Sequence, residues 1–245
     1  MSKDKGLSEQ AFSQAAEAGF SSQLDEVEEL DVDIQTNPLK AIQGKADSVS
    51  MKGKKMVQGD LRVEEVKMDI GNITIDTMSA AFGNIKLEKP TDATGHVVLT
   101  EQDVSRALNS ELVHNKLQNL SVQIEGKPAT VDVQKADFSL PGNGKIGVKA
   151  EVFLQETRET HSVAFTAVPH LDPSQGTISL EDVQYSEGKD LSPEITRTLR
   201  NKISDLLGLR DFVLEGMSLH LTKLEVQKGR MTLQSQSHVE SLPSS

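Results

Sequence analysis

The chain has 245 residues, a formal net charge of −11, and 3% aromatic residues with no Trp. Phosphate backbones are bound mainly by Lys and Arg that release counterions, and unpaired bases by aromatic faces, so this composition argues against nucleic acid as a partner. Cysteine is absent, which removes disulfides, thiolate nucleophiles and Cys-type zinc sites together and fits a reducing compartment.

In chain order, the N-terminal MSKDKGLSEQ carries no apolar signal region, and no apolar run approaches the roughly 20 residues that span a bilayer. Ser8 is placed to cap a first helix, with Leu7 and Phe12 as a hydrophobic staple. Phe12, Ala15, Ala16, Gly19 and Phe20 recur at helical spacing. Leu30, Val32 and Ile34 then alternate with polar residues, the mark of a strand with one buried face. Met51-Lys52-Gly53-Lys54-Lys55-Met56 is a basic cluster in an acidic chain, read as a turn. Leu61 and Val63 give way to Val66, Met68 and Ile70, a one-residue change of face that predicts a β-bulge.

A second helix starts at Thr100, with Asp103 three residues on as a variant capping box, and Val104, Ala107, Leu108 and Leu112 form its stripe. Asn109-Ser110 is positioned to break or kink it. Alternation returns at Leu120, Val122 and Ile124. It shifts face between Val131/Val133 and Ala136/Phe138/Leu140, and continues from Ile146 to Leu154, through Val163, Phe165 and Ala167, and at Ile178 and Leu180. The stretch from Lys145 to Gln155, as a single strand, is about 36 Å long at roughly 3.3 Å per residue. A third helix begins at Ser192-Pro193, carries Ile195, Leu199, Ile203, Leu206 and Leu207 on one face, and stops at Gly208. A last alternating run shifts face between Leu219/Leu221 and Leu224/Val226. Turns at Glu125–Pro128, Pro141–Gly144 and Gln227–Arg230 each separate two alternating runs and read as hairpins.

Motifs for chemistry do not hold up. Gly142-Asn143-Gly144-Lys145-Ile146-Gly147 has the spacing of a dinucleotide loop, but a strand follows it where a helix must. None of the six histidines has a ligand spacing, and His220 is expected to face solvent. The acidic run from Asp25 to Asp33 lacks the turning Gly and the bidentate Glu of a calcium loop. Gly216-Met217-Ser218-Leu219-His220 has His where a nucleophile elbow needs its second Gly. The expectation is a protein with no catalytic residues, no metal and no cofactor.

Three stretches carry a resemblance: SSQLDEVEELDVDIQTNPLKAIQGKADSVSM, PTDATGHVVLTEQDVSRALNSELV and FVLEGMSLHLTKLEVQKGRMTLQ. Together they resemble the LmeA-like phospholipid-binding family of bacteria, over roughly Leu7 to Ser237. The resemblance implies a fold similar to tubular lipid-binding domains and an elongated apolar cavity for acyl chains. Known phospholipid-binding members carry an export or lipoprotein signal. Its lack in this sequence makes the cytoplasm, with peripheral contact on the cytoplasmic face of a membrane, the expected location.

The reading is therefore an α+β chain with one lipid-binding-like domain over residues 1–240 and a disordered tail at 241–245. A long, strongly twisted antiparallel sheet wraps around amphipathic helices. The expected function is non-catalytic binding or carrying of phospholipid or another acyl lipid. The alternative is a structural or protein-interaction β-module with a solid core. Residues expected to line the cavity are Phe12, Ala16, Phe20, Val104, Leu108, Leu112, Phe138, Phe153, Phe165, Ile195, Leu199, Ile203, Leu206 and Leu207. Lys52, Lys54 and Lys55 are the expected headgroup or membrane contacts, each worth about 1 kcal/mol near an anionic surface.

Overall fold

The computed structural model describes residues 7–22, 24–75, 87–124, 126–187, 193–207 and 217–239. Helix α1 (Leu7–Ser21) leads to β1 (Glu29–Gln35), a short helix α2 (Pro38–Ile42), β2 (Lys45–Ala46), β3 (Ser48–Gln58), β4 (Leu61–Ile70), β5 (Ile73–Thr74) and β6 (Thr91–Thr100). Helices α3 (Glu101–Leu108) and α4 (Glu111–His114) and a 3-10 turn (Asn115–Leu117) precede β7 (Leu120–Ile124), β8 (Lys127–Gly142), β9 (Lys145–Leu154), β10 (Glu159–Asp172) and β11 (Thr177–Glu187). Helix α5 (Pro193–Leu207) and the pair β12 (Met217–Gln227) and β13 (Arg230–Val239) complete the order.

Local chemistry sets these boundaries. Thr100 and Asp103 form the reciprocal capping box of α3, and Ser110 Oγ caps α4, so the Asn109-Ser110 pair ends one helix and begins the next. Ser8 lies inside α1 rather than capping it. Asn143 (φ 54°) and Gly144 (φ 71°) are both left-handed, as a two-residue hairpin loop between right-twisted strands requires. The Ser192 cap and the Gly208 stop expected for the third helix, and the tail at 241–245, lie outside the described residues.

The strands form two main sheets, not one wrapped sheet. The first has order β1-β3-β4-β6-β13-β12, the second β11-β10-β9-β8-β7, and β2 pairs with β5 as a two-stranded ribbon. All pairings in them are antiparallel. The second sheet curls into a half-barrel, and α5 packs against both of its edge strands, β7 and β11. Register shifts fall between Val133 and Lys135 in β8 and between Leu221 and Lys223 in β12, where the alternation changes face. The bulge expected in β4 is absent, because its register is constant against β3 and β6. Arg62 and Glu64 instead share the face of Val66, Met68 and Ile70. Arg62 pairs there with Glu64 and with Asp103, which is 1% exposed. A satisfied ion network thus does what a bulge was expected to do.

Two helices serve as substitutes for missing strands. β7 covers β8 only to Val131, so the rest of that edge needs other partners for its backbone. On α3, Glu101 Oε1 accepts from the Leu140 N–H (2.5 Å). Ser105 Oγ accepts from the Phe138 N–H (2.9 Å) and donates to its carbonyl (3.2 Å). Asn109 does the same at Ala136, with distances of 3.0 and 2.5 Å. On α1, Ser13 Oγ accepts from the Ile34 N–H (3.1 Å) and Glu17 Oε1 from the Val32 N–H (3.0 Å). The match is metric: four helical residues rise about 6.0 Å, and two strand residues about 6.6 Å.

The core lies between the half-barrel and α5. Ile195, Leu199, Ile203 and Leu206 interdigitate with Phe138, Val148, Val152, Val163 and Phe165, all under 9% exposed. Replacing Asn109 with Ala removes both Ala136 bonds, and a loss of about 1–3 kcal/mol is expected for a poorly solvated backbone pair. Urea denaturation checks this. An unchanged midpoint would mean that water replaces the amide without cost.

Candidate functional site

The residues expected to line a cavity separate into three groups. Val104, Leu108, Phe138, Phe165, Ile195, Leu199, Ile203 and Leu206 belong to one buried cluster, with Leu207 packed against it. Phe20, Leu112 and Phe153 do not join it. Phe20 is 47% exposed and Leu112 53%, because each lies on the solvent side of its helix. Phe153 is half-buried on the outer face of β9, opposite in direction to Val152 and Leu154. Ala16 is half-buried on α1, and the Phe12 side chain lies outside the described residues.

The interior beside α5 is nearly full. An apolar void, bounded by Leu117, Val133, Phe165, Leu199 and Ile203 among others, leaves about 10 Å³ for the centre of a water molecule. That is the threshold for holding one water, which takes roughly 10–15 Å³ on this measure. An acyl chain does not fit there in this conformation, so the expected tunnel is absent at that place.

The register of the first sheet assembles a different apolar surface. Val32, Met51 and Met68 align across β1, β3 and β4. Leu30, Gly53, Val66 and Val97 form the row on one side of these across four strands, and Ile34, Val49, Ile70 and Ala93 the row on the other side. Both ends of this face are closed. Val32 is fully buried at the β1 end, and at the other Leu221 and Leu233 pack with Ile178 of the second sheet. In the middle, Val49, Met51, Val66, Met68, Ile70 and Val97 remain half-buried and join neither buried cluster. Met51 and Met68 sit directly opposite each other, and thioether side chains adapt to irregular apolar shapes. The alternation of β3, β4 and β6 carried this signal, but only the strand order shows that these residues share one surface.

The basic cluster is not a turn. Lys52, Lys54 and Lys55 lie within β3, and the turn is at Gly59-Asp60. Lys54 Nζ is 2.6 Å from Glu29 and Lys55 Nζ 2.5 Å from Glu28. These hydrogen bonds raise both lysine pKa values and lower that of Glu28, with the opposite charges adding to the effect. Two of the three lysines therefore already have carboxylate partners. His220 does not stand free in solvent, since its Nε2 is 2.6 Å from the Pro173 carbonyl. Among the described residues, no cluster of His, Asp and Glu has a metal-binding arrangement. None of the described helices is long and apolar enough to cross a membrane.

Two antiparallel sheets, one curled against a helix and one with a half-buried apolar face, define an α+β protein. The chain belongs to the LmeA-like phospholipid-binding family, whose family model matches residues 5–236. Neither a curated protein nor a solved structure matches it.

The two apolar regions differ in how they respond to truncation. Leu199→Ala opens a cavity in a filled core and is expected to cost about 2–5 kcal/mol. Met68→Ala, on the half-buried face, is expected to cost about 1 kcal/mol. Parallel denaturation of the two variants checks the difference, and equal losses would place Met68 in a filled core.

Proposed function

We propose that the protein binds phospholipid without catalysing a reaction, with the acyl chains lying along the half-buried middle of the first sheet. The observation that carries this reading is the membership in a phospholipid-binding family together with an apolar face whose middle, among the described residues, joins neither core cluster. Burial of chain methylenes drives binding at about 0.8 kcal/mol each. The paired methionines suit tails of varied shape. Affinity then depends more on the tails than on the headgroup.

Contact with a membrane is brief in this reading, because a net charge of −11 opposes lasting attachment to an anionic surface. Strand addition by a protein partner is disfavoured at β1 and β8, whose edges α1 and α3 already engage.

Organic extraction of the purified protein followed by mass spectrometry tests the reading, with uptake of a fluorescent phospholipid from phosphatidylcholine vesicles alongside. Stoichiometric acyl lipid is expected. Met68→Glu and Val97→Glu place charge on the proposed surface and are expected to reduce uptake at least about tenfold while circular dichroism stays native. No lipid above an unrelated acidic control and no uptake by the wild type, or full uptake by both folded variants, would overturn it.

A further inference from the structure

The opposite, outer face of the first sheet carries a pattern that acyl binding does not use. Lys52 on β3 lies directly opposite Lys67 on β4, and Lys67 directly opposite His96 on β6. The same row continues through Gln234 on β13 to Lys223 on β12. Like charges placed directly opposite each other on a sheet are destabilising, and here they occur in a chain with eleven excess negative charges. Lys67 has a carboxylate partner, Glu65, at 2.6 Å. Lys52 and His96 have no ion pair among the described residues. The Lys67 hydrogen bond, outweighing burial and helped by the charges of Lys67, His96 and Arg230, lowers the Glu65 pKa, and Lys223 at the end of the row pairs with Glu225 at 2.6 Å.

This row borders a concavity of about 320 Å³, lined by Lys67, Asp69, Thr94, His96, Gln234 and Gln236 among others. That volume is within the range of roughly 300–1,000 Å³ for small-molecule sites. The lining sorts by chemistry. His96 presents an N–H donor suited to a phosphate oxygen, and Lys67 keeps further N–H donors beyond the one on Glu65. Asp69 lies at the next position along β4, where its Oδ1 accepts from Ser50 Oγ at 2.6 Å. Its second oxygen and the amides of Gln234 and Gln236 suit hydroxyl groups. An anion alone would meet repulsion from Asp69, whereas a phosphate with hydroxyls on the adjoining carbons satisfies both ends.

We propose that this outer-face concavity is a binding site for a phosphate ester of a polyol, with the phosphate on Lys67 and His96 and the hydroxyls on Asp69, Gln234 and Gln236. The same group is found in a soluble polyol phosphate and in a glycerol-type lipid headgroup. The site lies across the sheet from the apolar face, so it is independent of acyl binding there.

Calorimetric titration of the full chain with glycerol 3-phosphate and with inorganic phosphate tests this. Sedimentation with phosphatidylcholine vesicles, with and without phosphatidylglycerol, forms the second arm. Glycerol 3-phosphate is expected to bind saturably and more tightly than inorganic phosphate. Lys67→Gln with His96→Gln is expected to weaken binding at least about tenfold, while Lys127→Gln, at the start of β8 in the second sheet, leaves it unchanged. Binding to phosphatidylglycerol vesicles alone assigns the site to a headgroup, and to glycerol 3-phosphate alone, to a soluble ester. Fluorescent phospholipid uptake by the double variant should equal that of the wild type, which separates failure here from failure of the acyl site. The proposal is overturned by the absence of saturable binding in both arms, equal affinity for inorganic phosphate, or binding untouched by the double substitution.

Discussion

Backbone groups at the edge of a sheet must find partners, and in this protein two helices supply them through side chains. Glu101, Ser105 and Asn109 step along β8 at Leu140, Phe138 and Ala136, and Ser13 and Glu17 step along β1 at Ile34 and Val32. A third helix, α5, donates from Ser204 to the Ile178 carbonyl on the outer edge of β11. Because the rise of one helical turn nearly matches two strand residues, these contacts fix where each helix lies along its strand. The positions of the helices, and so the shape of both apolar regions, follow from that registry.

The Arg62–Asp103 pair extends the same logic to the join between the sheets. Asp103 caps α3 through Thr100 and also receives the Arg62 guanidinium from β4 of the first sheet. The helix that covers the edge of the second sheet is thereby tied to one end of the apolar face of the first. Breaking a buried pair of this kind leaves an uncompensated charge and is more harmful than never having had it.

Much of this was legible from local patterns. The Thr100 capping box, the hairpins at Pro141–Gly144 and Gln227–Arg230, and the bulges in β8 and β12 each depend on a few adjacent residues, and the structure has all of them. The β4 change of face misled, because Arg62 and Glu64 look like solvent-side residues until Asp103 is placed beside them. Size and periodicity single out helix positions and phenylalanines as candidate lining residues. Val66, Met68 and Val97 gained importance only through strand order, which pairs β4 with β6 across the segment between them. The cross-strand row of Lys67 and His96 is hidden for the same reason, since register is not written in either strand alone.

The edge-covering side chains also bear on how this sequence can drift. Ser13, Glu17, Glu101, Ser105 and Asn109 have the composition of an ordinary helix surface, where most polar exchanges are nearly neutral. Here each is matched to a strand N–H, and two of them, Ser105 and Asn109, to a specific geometry of donor and acceptor. Their replacement repertoire is accordingly that of a buried residue. Ser and Asn keep both hydrogen-bonding roles in a short side chain, and few alternatives do. In a comparison of related chains, these polar helix positions would therefore vary more slowly than the apolar residues of the half-buried face, where one aliphatic side chain serves nearly as well as another.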